Sequence, residues 1–182
     1  ALPGRLPNSG PDQRTSHKSD AAMFERILAL FEGKQPLTQL PPNEAKYALG
    51  ALLVRTAKVD HAYLFQEVEE IDAILARRNG LNPVEAAKLR AQCELLDEAL
   101  PDTADLAHTL RAAIPIEERE AMLAALWSVV FADGVEHEEE DTLVAEIETL
   151  LGVDPNTGKA IHDRELAKLP PQRDGGSGSE AP

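Results

Sequence analysis

From Met23 onward the apolar residues of this chain return every three or four positions, the spacing of helices that each bury one face. MFERILALFEG sets Phe24, Ile27, Leu28 and Phe31 on one face of a short helix that Gly33 closes. After a turn-rich stretch, Asn43 caps a helix through EAKYALGALLVRTAKVD that turns Tyr47, Leu49, Leu52, Leu53 and Thr56 inward. A third helix, from about Tyr63, carries Val68, Ile71, Ile74 and Leu75 on one face and stops at Asn79-Gly80. Asn82-Pro83 is a cap followed by a first-turn proline, and the helix it starts points Ala86, Leu89, Cys93 and Leu96 inward. A shorter helix spans about Thr103 to Ile114, and Pro115 opens the long helix IEEREAMLAALWSVVFAD, whose acidic first turn suits the helix dipole. The next runs from about His137 to Leu151 and ends at Gly152, and Asp154-Pro155 starts a weak last helix that fades near Pro170. No segment of four to eight residues alternates with period two, so the pattern predicts an all-α domain of seven or eight helices over residues 23–169.

Residues 1–22 are rich in Pro, Ser, Gly and Asp without an apolar period, and are expected to be a disordered extension, with 170–182 a flexible tail. Helical patterning begins at a methionine, which suggests Met23 as the native start. Hydrophobic residues make up 43% of the chain but aromatic ones only 4%, so the core must be built from Ala, Leu, Val and Ile. A net charge of −14 repels phosphate backbones and anionic headgroups, which argues against nucleic acid as a ligand. The single cysteine, Cys93, allows neither an internal disulfide nor a paired-cysteine metal site, and its place in an apolar stripe makes it a core residue. No apolar run approaches the roughly 20 residues that cross a bilayer. The expected setting is the reducing cytoplasm, with no direct membrane insertion.

The chain repeats itself. At an offset of 73 residues, YALGALLVRTAKVDHAYLFQEVEEIDAIL lies over EAMLAALWSVVFADGVEHEEEDTLVAEIE without a gap, matching Ala48 to Ala121, Ala51 to Ala124, Asp60 to Asp133, Glu67 to Glu140 and Ile74 to Ile147. This predicts a pseudo-duplicated bundle of helical hairpins. In both copies an Asp ends one helix and a Glu follows seven residues later in the first turns of the next. A tight corner can bring the two carboxylates to one pocket, where hard oxygen ligands suit Ca²⁺ or Mg²⁺. Asp133 and Glu140 are the leading candidate ligands, with Glu136 as a third carboxylate and Asp60 with Glu67 as the degenerate partner pair. The second corner is denser, with Glu138, Glu139 and Asp141 beside these, and crowded carboxylates either bind cations or raise one another's pKa. The plainer alternative is that Asp caps the next helix and the glutamates complement its dipole. The spacing is not that of an EF-hand loop.

These corners resemble the tellurite-resistance TerB-like family. The resemblance rests on Ala57-Lys58-Val59-Asp60 with Glu67, and on Phe131-Ala132-Asp133-Gly134-Val135 with Glu140, each followed by Gly80-Leu81 or Gly152-Val153, and covers about Met23 to Lys168. The first copy departs from the family pattern at His61, where glycine usually stands, and at Val59 in place of a small residue. The resemblance implies an all-helical bundle, a link to tellurite and general stress responses, divalent-cation binding at the acidic corners, and a scaffolding role beside membrane or chaperone partners. Some relatives carry a J-domain, but this chain has no His-Pro-Asp motif. The expected function is thus a non-enzymatic stress-response interaction module with a protein partner, peripheral to a membrane only through that partner.

Two rivals stand beside it. Histidines at 61, 108, 137 and 162, and above all His162-Asp163, fit a metal-dependent hydrolase of HD-like type, which needs separated His and His-Asp ligands on helices. An ion-independent helical scaffold needs none of these groups. Trp127 reads as core, and Arg77-Arg78 as cations at a helix C-terminus.

Overall fold

The computed structural model describes residues 42–100 and 102–170, together with Glu25 and Ala29. Of the helix expected over 23–33 only Glu25 and Ala29 are described, both helical; its other residues, residues 1–22, Met23 as a start and the tail from 171 lie outside the described residues. The chain divides into two compact units, 1–36 and 37–182, and every element below belongs to the second.

Seven helices and no strand occur among the described residues: α1 Pro42–Lys58, α2 Phe65–Asn79, α3 Pro83–Ala99, α4 Thr103–Ala113, α5 Ile116–Val130, α6 Glu138–Leu151 and α7 Pro155–Leu166. The fold is the expected all-α bundle. α1 is its axis, packing against α2, α3, α4, α5 and α6, so its inner residues, Ala48, Ala51, Leu52, Leu53 and Val54, are wholly buried. Its approach to α3 is close: a Cβ at Gly50 would stand 2.2 Å from the Sγ of buried Cys93. Among the described residues no helix is long and apolar enough to cross a membrane.

The duplication extends one helix further than the matched segments. α1, α2 and α3 pack on one another as α5, α6 and α7 do, and α1 lies directly on α5. α2 and α6 both end on a left-handed glycine, Gly80 at φ 63° and Gly152 at φ 69°. α3 and α7 then start alike. Asn82 accepts from the Glu85 N–H and Asp154 from the N–H groups of Asn156 and Thr157, each before a proline whose missing N–H costs the first turn nothing.

Several expectations shift in detail, beginning with α1, which starts at Pro42 and so holds Asn43 inside the helix rather than as its cap. The long helix stops at Val130 rather than Asp133, because Gly134 turns back at φ 79° and donates to the Phe131 carbonyl. α7 ends at Leu166, with turns rather than helix up to Leu169. Val68, expected inward, is only half-buried; the buried position in that turn goes to Glu67, a carboxylic acid.

Candidate site where the two acidic corners meet

Each corner is built by the same local chemistry. At the end of α1, Asp60 Oδ1 accepts the Ala62 N–H at 2.9 Å, while at the end of α5, Asp133 Oδ1 accepts the Val135 N–H at 2.8 Å. These short Asp turns are what folds α1 onto α2 and α5 onto α6. The residue after each Asp takes a left-handed conformation, Gly134 in the second corner and His61 at φ 68° in the first.

The sequence treats the corners as two sites; the bundle makes them one. Because α1 packs on α5, α2 on α5 and α1 on α6, both hairpin tips reach the same place. Glu67, 2% exposed, and Glu140, 0% exposed, lie against each other, and the charges of Asp60 and Asp133 bear on both. Burial is the largest cause of the upward pKa shift in each, because a carboxylate removed from water loses solvation. Glu140 is pushed up to about 9, by burial first and then by Glu67, Asp60 and Asp133. Glu67 is also raised, though less freely, because the Leu64 N–H it accepts favours its ionised form.

The two glutamates are used differently. Glu67 caps the N-terminus of α2 through Leu64, whereas Glu140, at the matching place in α6, caps nothing: neither Oε1 nor Oε2 has a hydrogen-bond partner while both are ionised. A buried carboxylate with no partner is unstable as such, so this position calls for a proton shared with Glu67 or for a cation. Among the described residues no group of three or more His, Cys, Asp or Glu side chains is arranged so that it could hold a metal ion. What fits a cation is the donor chemistry: two vacant lone-pair-bearing oxygens on Glu140, facing Glu67, in the combined negative field of Asp60 and Asp133.

His137, assigned by sequence only to a corner, belongs to this group. Its Nε2 stands 3.2 Å from Asp133 Oδ2, which raises the imidazole pKa, with Asp60 and Glu67 adding to the effect. The usable signal was its place four residues after Asp133, within reach of that second oxygen. Glu136 is placed elsewhere. It meets His162 Nε2 at 3.2 Å, on the α7 side, and raises the pKa of Asp141 after burial has done so. Glu138 and Glu139 are exposed, as first-turn acids on α6.

His162-Asp163 sits in different surroundings. The ring meets Asp163 Oδ1 at 3.0 Å and stands edge-on to Trp127, centroids 4.7 Å apart, with Phe131 stacked on the same indole. Its contacts are thus an aromatic wall and two carboxylates, while His137 pairs with Asp133 and His108 is exposed. In the first repeat the matching positions hold Tyr63 and Arg90, which share Glu94: the phenol donates to Oε1 at 2.6 Å and the guanidinium, also bound to Asp72, at 2.6 Å. This is a structural tie between α2 and α3, and its counterpart Glu136–His162 ties the second corner to α7. Trp127 is 5% exposed and Cys93 wholly buried, both in the core as the sequence indicates.

The family assignment comes from the sequence of this same region. The model of one protein family, described as Tellurite resistance protein TerB, matches residues 46–163, from within α1 into α7. No curated protein and no solved structure matches the chain.

Proposed function

The chain belongs to the tellurite resistance protein TerB family, and from that premise we propose that it is a non-enzymatic interaction module that takes one divalent cation, Ca²⁺ or Mg²⁺, where its two corners meet. Glu140 and Glu67 would hold the ion, with Asp133 and Asp60 supplying charge and outer ligands. The observation that carries this reading is Glu140: a carboxyl with no exposure and no hydrogen-bond partner, surrounded by three further acids. A bound cation supplies the positive charge these four groups lack, locks α2 against α6 across the repeat boundary, and so sets which outer surface the module presents to a protein partner in a cytoplasmic stress response. Glu136, tied to His162, would follow the corner's movement rather than bind.

A second reading has an observation of its own. Glu140, with its pKa near 9, can keep a proton at neutral pH and donate it to Glu67, which would make the pair a structural hydrogen bond and the protein an ion-independent scaffold. Thermal unfolding followed by Trp127 fluorescence separates the two. With chelator and then with millimolar Ca²⁺ or Mg²⁺ at pH 7.5, cation binding raises Tm by several degrees, since 100 times Kd of ligand adds about 2.7 kcal/mol, and Glu140→Gln removes the response. An unchanged Tm with every ion overturns the cation and leaves the shared proton.

A further inference from the structure

Between α2, α5 and the end of α7 lies an open groove of about 520 Å³, which Phe131 and Ala132 line on the side of the second corner. Its floor is small, Ala124, Ala125 and Ser128, and cations Arg77, Arg78 and Lys168 stand on its rim. The duplication shows what such a groove takes. Its counterpart in the other half runs between α6, α1 and the end of α3, and there the seat is filled by helix α4, which packs on α6 and α1. Arg55, at the position of Ser128, anchors the incoming chain through Thr103 Oγ1 at 3.1 Å and the carbonyls of Asp97 and Leu100. α4 lays Leu106, Ala107 and Leu110 into that seat, all wholly buried. No described residue fills the open groove in the same way.

The two seats differ in charge, and the difference specifies the occupant. Leu143, Leu150 and Leu151 of α6 correspond to Glu70, Arg77 and Arg78 of α2. Arg77 reaches Glu70 at 3.4 Å and Lys168 pairs with Glu165, whereas Arg78 has no ion pair among the described residues. In the filled seat, α4 rests Arg111 against Gly152 at the end of α6; the same place in the open groove is the Arg77-Arg78 end of α2. A helix lying there like α4 therefore needs an acid where α4 has an arginine. We propose that this groove is a docking site for an amphipathic helix of a partner protein, with small aliphatic residues against Ala124, Ala125 and Ser128 and an acidic end against Arg78. The site is independent of the cation reading.

The test uses the full chain and a synthetic peptide of residues 102–114 carrying Arg111→Glu, titrated at low salt against Trp127 fluorescence, which reports on the groove through stacked Phe131. The expected result is saturable binding that Ala125→Phe abolishes, that Arg78→Glu weakens at least tenfold, and that is weaker for the peptide with its native Arg111. No saturable change up to millimolar peptide, or binding indifferent to both variants, overturns the proposal. A concentration-dependent dimer that Ala125→Phe dissociates gives the groove to a second copy and overturns it. So does absence of peptide binding with a Tm of the free monomer lowered by Ala125→Phe, which gives the groove to another segment of this same chain.

Discussion

The two acidic corners share a spacing, a turn and a backbone hydrogen bond, yet only one of them spends its glutamate on local structure. In the first, Glu67 holds the Leu64 N–H and the left-handed turn position is filled by His61, so the corner is closed by capping and carries a conformational cost. In the second, Gly134 takes the left-handed position freely, His137 braces Asp133, and Glu140 is left buried without a partner. The duplicated hairpins thus use the same residue differently: one copy spends its glutamate on a cap, the other leaves a buried, unpartnered carboxyl facing it. The lesson is that equal motifs do not imply equal roles, and that the electrostatic cost of Glu140 exists only because the two copies are packed together.

The largest contrast between the halves is Arg55 against Ser128. Arg55→Ala strips a largely buried partner from Asp97 and frees the start of α4, and should cost about 3 kcal/mol, whereas Ser128→Ala, which loses one hydrogen bond to Glu70, should cost about 1 kcal/mol or less. Urea unfolding of the two variants checks this, and similar losses would deny that the α4 seat is the filled one.

The glutamates come next. A carboxyl whose folded pKa is raised stabilises the fold while protonated, so this contribution is full below about 4.5 and is lost as pH rises toward about 9. In chelator, Tm should therefore fall between pH 5 and pH 8. His137, also raised by Asp133, acts in the same direction, and Asp60, Glu67 and Asp133 are the charges that face Glu140. Glu140→Gln should flatten the slope and raise Tm at pH 8, while Glu67→Ala should lower Tm at pH 5 by removing the acceptor that caps α2. Equal behaviour of the two variants would erase this difference between the corners.

The turn positions give the smallest and cleanest contrast, because they should respond with opposite signs. Gly134→Ala forces a Cβ into a left-handed residue and should cost about 1–2 kcal/mol, with no clash to complicate it, since nothing lies within 4 Å of the added atom. His61→Gly should gain about 1 kcal/mol by relieving the same conformation, read as a higher urea midpoint with unchanged m-value.

Much of this architecture was legible in the chain. Helix starts at Asn82-Pro83 and Asp154-Pro155, stops at Gly80 and Gly152, and the inward stripes of the long helices follow from local rules that tertiary packing left alone. The four carboxylates of the candidate site were legible as two pairs, because the offset repeat is a property of sequence. Their union was not, since it depends on α1 lying on α5, a contact between segments with nothing in either segment to announce it. Nor was the fate of Glu136: its partner, His162, is 26 residues away on another helix. Periodicity favoured Val68 as the inward residue because burial of an acid runs against hydrophobic patterning, and that conflict at Glu67 and Glu140 is itself what marks the site.

The central claim, that two corners make one cation site, is tested most directly by calorimetric titration of the metal-free chain with Ca²⁺ and with Mg²⁺, repeated on Glu67→Gln and Glu140→Gln. The account predicts one ion per chain for one of these cations, proton uptake by the buffer on binding, and loss of binding by substitution in either corner. Two ions per chain, binding that survives the loss of Glu140, or no heat from either cation would contradict it.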